Sequence, residues 1–216
     1  MKNSLEAEFL GDFGSQKGKI LGGLIKVGGF STVVRSVLVP SLSELLAKNP
    51  EVQAEFFTKE VRDLPSLLEA GRADFILLNK PYDKQGVENI ELGFEENVLV
   101  EPKSGLFRND VFLDHDSEDS TTADFFKTQS KAPQQWRRSY FDEIYAIIDG
   151  VLAGAGRAVI PLHIAKQVKG LNLTKGYRPM KTPVYFCYYR QAFYTSLQKQ
   201  VIENIKTVGP IFLKSS

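Results

Sequence analysis

Hydroxyl residues stand at the predicted starts of two helices, and they are the clearest candidates for chemistry in the sequence. Ser31 and Thr32 come directly before a helical pattern over 33–47, and Ser120 and Thr121 come before a second one. A helix start offers unpaired backbone N–H groups and the positive end of the helix dipole, which favour a carboxylate, sulfate or phosphate. Ser and Thr are also common helix caps that bind no ligand. Their repetition in two parts of the chain favours an anion-binding cleft.

Motifs for nucleotide or metal binding are not found. Gly154 and Gly156 follow a predicted helix and precede a strand, which reverses the dinucleotide-binding order and indicates a turn. The acidic stretch 114–119, with His115, lacks the Gly and Glu that a calcium loop needs at its sixth and twelfth positions. For His163 we predict a surface or capping role. The sequence therefore predicts no metal and no cofactor.

Local signatures of catalysis are also missing. The sequence contains no HExxH, no GxSxG and no GxxxxGK[ST] motif. No Ser or Thr stands in a recognisable nucleophile–base motif, although a nucleophile needs a base within reach. We therefore expect a binding protein and not an enzyme.

The order of the elements predicts an α/β fold. Residues 20–80 are typical of a β-α-β-α-β unit, and Pro40 predicts a kink or a restart in its first helix. The continuous apolar run at 73–78 is typical of a strand buried in a parallel sheet. Residues 98–170 repeat a strand–helix–helix–strand order, and a strand at 184–189 and a helix at 195–206 close the chain. Two such units imply two lobes with a cleft between them.

Composition excludes several classes of protein. There are 27 Lys and Arg against 26 Asp and Glu, so the basic excess of a dedicated nucleic-acid binder is missing. Cys187 is the single cysteine and has no internal partner, which suits a reducing compartment. Residues 1–10 lack the apolar segment of a signal peptide, and charged residues interrupt the apolar stretch 144–165. We expect a cytoplasmic protein without a membrane segment.

A series of short motifs over 18–210 resembles the effector-binding domain of LysR-type transcriptional regulators. The motifs are, in order, GLIKVG at 23–28, ST at 31–32, VP at 39–40, NPEV at 49–52, LLEAGRAD at 67–74, LGFEENVLV at 92–100 and VLAGAGRAVIP at 151–161. Their order and spacing together make the resemblance specific.

The resemblance implies two Rossmann-like lobes with a central cleft, the fold of type 2 periplasmic binding proteins. It places the end of a linker helix at 1–17, lobe I at 18–97 and 183–216, and lobe II at 98–182. It also implies a small, anionic effector between the lobes and a homodimer or higher homo-oligomer. The ligand-binding residues that it implies are Ser31, Thr32, Thr58, Asn79, Lys80, Ser120, Thr121, Tyr140 and Phe141.

LysR-type regulators also have a winged helix-turn-helix and a long linker helix, and neither fits within residues 1–17. We therefore expect an excised regulatory domain or a natural standalone version, which contacts DNA only through a domain that this sequence lacks. Two alternatives share the same fold, namely a standalone solute-binding protein and a small-molecule enzyme. The lone cysteine and the missing export signal argue against an exported carrier.

Overall fold

The computed structural model describes residues 21–214, apart from the side chains of Ser31 and Lys214, so the linker helix predicted at 1–17 lies outside the described residues. The strands are β1 (Gly23–Gly29), β2 (Val52–Thr58), β3 (Phe75–Leu78), β4 (Val87–Pro102), β5 (Val111–Asp114), β6 (Arg137–Tyr140), β7 (Ala158–Pro161), β8 (Leu171–Leu173) and β9 (Met180–Tyr189). The helices are α1 (Ser31–Val33), the π-helix Val34–Leu38, α2 (Val39–Lys48), α3 (Leu64–Glu69), α4 (Thr121–Lys127), α5 (Ile144–Leu152), α6 (Leu162–Gln167) and α7 (Ser196–Lys214). None of these helices is long and apolar enough to cross a membrane.

The main sheet has the strand order β2-β1-β3-β9-β4-β7, and β8 pairs with β4. The pairs β1/β2 and β1/β3 are parallel, while β9 pairs antiparallel with both β3 and β4. A separate parallel pair is formed by β5 and β6. The predicted α/β fold class is confirmed, but β3 lies between one parallel and one antiparallel neighbour and not in a purely parallel sheet.

Four clusters of buried apolar side chains form the cores of the two lobes. Two contain residues of 25–92 and 184–213, and two contain residues of 98–165. The clusters divide near residues 97 and 183, where the sequence predicts the lobe boundaries. On this basis we propose lobe I at 18–97 and 183–216 and lobe II at 98–182.

A long antiparallel ribbon connects the two lobes. Strand β4 pairs with β9 from Val87 opposite Tyr189 to Asn97 opposite Met180. The register shifts between Glu91 and Gly93, where Gly93 has φ +146°, a conformation that glycine tolerates and other residues rarely adopt. Each lobe therefore contains one end of the same two strands.

The helix that begins at Ser31 changes its winding before Pro40. The π-helix Val34–Leu38 precedes α2, and the N–H of Val39 donates to the carbonyl of Val34, five residues earlier. Proline has no N–H and fits in the first turn of a helix, and Pro40 is the second residue of α2. Where the sequence predicts a kink or a restart, the helix continues without a break, and its winding changes from π to α one residue before Pro40. However, the helix begins at Ser31 itself, two residues before the predicted start at residue 33, so Ser31 and Thr32 lie within its first turn and not before it.

The second lobe departs from the predicted order in two places. The strand predicted at 98–100 is the end of the 16-residue β4, which begins at Val87. Strand β6, with the polar sequence RRSY, lies between α4 and α5 and was not predicted. It lacks the apolar residues by which strands are recognised in a sequence. The buried side chains of this strand pair come from β5.

Candidate functional site

A cavity of about 470 Å³ opens between the two lobes, within the size range of small-molecule sites. The helix that starts at Ser31 and the end of α7 form its lobe I wall. The first two residues of α5, residues of α6 and the residue that follows α6 form its lobe II wall. The lining residues are Thr32, Arg35, Ser36, Pro40, Ile144, Tyr145, His163, Ile164, Gln167, Val168 and Phe212.

A buried carboxyl group lies behind two of these residues. The hydroxyl of Thr32 donates to Oε2 of Glu95 over 3.3 Å, and Nδ1 of His163 lies 4.0 Å from Oε1 of the same carboxyl. Only 3% of Glu95 is exposed. Among the residues that the structure describes, neither Oε1 nor Nδ1 has a hydrogen-bond partner. Because unpaired buried polar atoms are rare in folded proteins, this pair marks the inner wall of the cavity as a candidate site.

Burial sets the protonation of both groups. It raises the pKa of Glu95 from its ordinary 4.5 to about 7, against the opposing effect of the Thr32 hydrogen bond. Burial also lowers the pKa of His163, and the positive charges of Arg35 and Lys166 lower it further. Near neutral pH the imidazole is therefore uncharged, and the carboxyl group exchanges a proton in that range.

Arg35 brings a positive charge to the mouth of the cavity. Its guanidinium carbon lies 5.1 Å from the centre of the Tyr145 ring, so the contact joins the two lobes. Tyr145 is held at the start of α5, where the Glu143 side chain accepts hydrogen bonds from the N–H groups of Tyr145 and Ala146. Within residues 21–214, no carboxylate forms an ion pair with Arg35.

A second contact between the lobes involves the acidic stretch 114–119. Nη2 of Arg62, in the turn before α3, lies 2.7 Å from Oδ2 of Asp116, and Nη1 lies 2.9 Å from Oε2 of Glu118. Arg138 holds this stretch in place, and its Nε lies 2.5 Å from Oδ2 of the buried Asp114. Its guanidinium also donates to the carbonyls of Asp116, Ser117 and Asp119. The acidic stretch is therefore held in place by Arg138 and forms ion pairs with Arg62. In the part of the chain that the structure describes, no group of three or more His, Cys, Asp or Glu residues could hold a metal ion.

Of the lobe I residues implied by the resemblance, Thr32 lines the cavity. The backbone of Ser31 begins α1, and its side chain is not among those described. Thr58, at the end of β2, is exposed. Asn79 and Lys80 follow β3, where Asn79 is half-buried and Lys80 exposed. None of these last three lines the cavity.

The lobe II residues that the resemblance implies lie outside the cavity. Ser120 directly precedes α4, as predicted, but its hydroxyl donates to Asp124, and Asp119 accepts the hydrogen bond of the Thr121 N–H. A carboxylate of the chain itself therefore occupies the place where the sequence suggests an anion. Tyr140 is exposed, and its ring lies 5.1 Å from the guanidinium carbon of Arg138. Phe141 packs against the apolar core of lobe II.

Sequence reasoning missed four residues of this site, which are Arg35, Glu95, Tyr145 and His163. The structure places His163 in the cavity wall with 14% of its side chain exposed, so the surface or capping role predicted for it is wrong. The feature of the sequence that could have indicated this site is Glu95. It lies within an extended pattern, three residues from the buried Leu92 and two from the buried Asn97, and a carboxyl at such a position is rarely buried without a function.

The sequence matches the family model of the LysR substrate binding domain over residues 19–209. The chain belongs to this family. The predicted type 2 periplasmic-binding-protein-like fold is thereby confirmed, and the family consists of regulatory domains of transcription factors, which sense effectors and are not enzymes. No curated protein matches the sequence.

Solved structures agree with this assignment at low sequence identity. ArgP from Mycobacterium tuberculosis superimposes with a TM-score of 0.76 at 12% identity, covering 95% of this chain and 72% of ArgP. Full-length LysG from Corynebacterium glutamicum with bound effector Arg gives a TM-score of 0.72 at 14% identity, covering 96% and 73% of the two chains. The BenM effector binding domain with its effector benzoate gives 0.65 at 16% identity, covering 86% and 91%. At these identities the similarity shows the fold of the LysR domain.

Proposed function

We propose that this LysR domain binds a small anionic effector in the cavity between its lobes and passes the signal to a DNA-binding domain outside the 216 residues. The observation that supports this best is the cavity itself, because its walls come from both lobes and Arg35, which lines it, has no carboxylate partner within residues 21–214. Among its relatives, LysG holds Arg and BenM holds benzoate. Both are small molecules of a size that a cavity of about 470 Å³ accommodates.

Binding at this place would favour one arrangement of the lobes. A ligand that touches both walls binds most tightly where they stand at the right distance, and so it increases the population of that arrangement. The contacts Arg35–Tyr145 and Arg62–Asp116 already join the lobes. A ligand carboxylate would add a third link through Arg35, and Glu95 on the connecting ribbon would sense the change through Thr32 and His163.

The remaining residues of the implied site are proposed as the rim of the interlobe cleft. Thr58 ends β2, and Asn79 and Lys80 follow β3, where the carboxyl ends of strands in α/β folds commonly receive ligands. Ser31, Ser120, Thr121, Tyr140 and Phe141 stay proposed as ligand-binding residues because of the family resemblance. We also propose a cytoplasmic homodimer or higher homo-oligomer without a catalytic activity of its own.

The test is a thermal-shift screen against carboxylates, amino acids, sugars and oxyanions. A ligand at 100 times its Kd adds about 2.7 kcal/mol of stability, which is easily measured as a rise in Tm. Gln167 is exposed and lines the cavity, so Gln167→Trp should block it without disturbing the core. The matched control is Gln200→Trp, at an exposed position of α7.

A hit that Gln167→Trp removes and Gln200→Trp retains would support the proposal, provided the ligand is recovered chemically unchanged. A screen without any hit would refute it. So would a hit that Gln167→Trp leaves unaffected, because the ligand would then bind elsewhere.

A further inference from the structure

The lining of the cavity includes a basic side chain and no acidic one. Arg35 lines it, and Lys166 lies close enough for its charge to act on His163. No Asp or Glu is among the residues that line the cavity. The Glu95 carboxyl lies behind Thr32 and His163 with its Oε1 fully enclosed. The exposed Glu143 carboxylate stands next to the lining residue Ile144, but it already accepts the N–H groups of Tyr145 and Ala146. The lining therefore presents positive charge and no carboxylate of its own.

The rest of the wall is mainly apolar. Pro40, Ile144, Ile164, Val168 and Phe212 line it, together with the ring of Tyr145. Two of the polar residues are already engaged, because the Thr32 hydroxyl donates to Glu95 and the Ser36 hydroxyl donates to the Thr32 carbonyl. Besides Arg35, the polar side chains that remain in the lining are His163 and Gln167, so a ligand with more polar groups than these can pair would bury the others at a cost in affinity.

Arg35 is prepared to bind a carboxylate. A guanidinium that lies over an aromatic ring still directs its N–H groups outward in its own plane, where they match the two oxygens of a carboxylate. The ring of Tyr145 restricts the movement of the side chain before any ligand arrives, which reduces the entropy lost on binding.

Three ligand classes fit this wall poorly. An amino acid brings an ammonium group, which would need an acceptor such as an exposed carboxylate. A dicarboxylate brings a second negative charge, and Lys166, the other cation close to the cavity, is not among the residues that line it. A sugar brings hydroxyl groups that would lie against isoleucine and valine side chains.

We infer that the effector is a monocarboxylate with an apolar body, whose carboxylate pairs with Arg35 and whose body lies between the two lobes against Ile144, Ile164 and Val168. This inference rests on the proposed function and narrows its ligand to one chemical class. It also assigns to Arg35 the discrimination between charged and neutral forms of the same molecule.

The test uses two sets of probes, each with one apolar body and different polar groups. The first set is 4-methylpentanoate, its amide, its amine and leucine, which is the same carboxylate with an added ammonium. The second set is 3-phenylpropanoate, its amide, its amine and phenylalanine. Acetate and succinate test the need for a body and the effect of a second carboxylate. Affinities are measured by isothermal titration calorimetry.

We expect at least one carboxylate to bind ten times more tightly, or better, than the other members of its set. Arg35→Gln should remove that advantage and leave the affinity for the amide unchanged, which shows that the cavity is still folded. Arg35→Lys should retain part of the advantage. Arg72→Gln, at an exposed position after α3, is the matched control and should bind as the unchanged protein does.

The inference is refuted if neither carboxylate binds better than its amide, or if Arg35→Gln binds the carboxylate as well as the unchanged protein does. Tighter binding of leucine, phenylalanine or arginine, blocked by Gln167→Trp, would refute the monocarboxylate class and leave the proposed function intact. If neither these probes nor the broad screen gives binding in the cavity, both are refuted.

Discussion

Replacing Glu95 with glutamine should remove a large part of the pH dependence of folding. Burial raises the pKa of Glu95 from 4.5 to about 7, so the folded protein holds a proton that the unfolded chain has already released. Stability due to this group is therefore greatest below pH 4.5 and falls as the pH rises towards 7. A rise of about 2.5 pH units, at about 1.4 kcal/mol for each unit, corresponds to about 3 kcal/mol lost above pH 7. Glutamine has no proton to lose and can still accept the hydrogen bond of Thr32.

The measurement is the free energy of unfolding in urea at several values between pH 4.5 and 8.5. The quantity of interest is the difference between the unchanged protein and Glu95→Gln, because the other titrating groups contribute to both. His163 is one of them. Its lowered pKa reduces stability as the pH falls, which is the opposite direction.

The difference should favour the glutamine variant increasingly as the pH rises, by about 3 kcal/mol in total, and level off above pH 7. Glu96→Gln, at the next position of β4, is the control and should retain the pH profile of the unchanged protein. Parallel profiles for the unchanged protein and Glu95→Gln would contradict the reasoning, because they would mean that the carboxyl is ionised and solvated in the folded state.

Three further results are expected. Gly156→Ala should destabilise the fold by about 1–3 kcal/mol in urea unfolding, because the new Cβ would lie 2.6 Å from the carbonyl oxygen of Val111; an unchanged midpoint would show that the backbone yields there freely. The thiol of Cys187, whose pKa burial raises to about 12, should resist iodoacetamide at pH 8 in the folded protein and react in urea, whereas fast labelling under native conditions would contradict its burial. In a double-mutant cycle of Arg62→Ala and Asp116→Ala, both partners are solvated, so any coupling should be small and should vanish at high salt; coupling that survives 1 M NaCl would count against an exposed ion pair.

The elements of lobe I could be predicted because they follow from local patterns. The apolar run at 75–78, the turn at Gly71 and the periodic residues of α2 each indicate their structure within a short window. The elements of lobe II were harder to predict from the sequence, because β6 is polar along its length and β8 has only three residues. Both are strands only because a partner elsewhere in the chain pairs with them.

The candidate site was harder to predict than the fold. Thr32 could be found because Ser and Thr at a helix start are a local signal. Its actual partner, Glu95, lies 63 residues away, and only tertiary packing brings the two together. The anion site suggested at Ser120 stays a prediction. Asp124 accepts the hydrogen bond of the Ser120 hydroxyl and Asp119 that of the Thr121 N–H, so an anion there would have to displace these carboxylates.

Glu95 connects the cavity to the ribbon of β4 and β9 that joins the two lobes. Glu95 lies on β4 two residues after Gly93, where the pairing of β4 with β9 shifts register. Asn97, two residues further along, is bonded across the ribbon by its side-chain amide to the hydroxyl of Thr182. A ligand that moves Thr32 relative to His163 changes the surroundings of the one carboxyl that lies between them on this ribbon. Because each lobe contains one end of this ribbon, we expect a shift in the protonation or packing of Glu95 to change how the two lobes are held relative to one another.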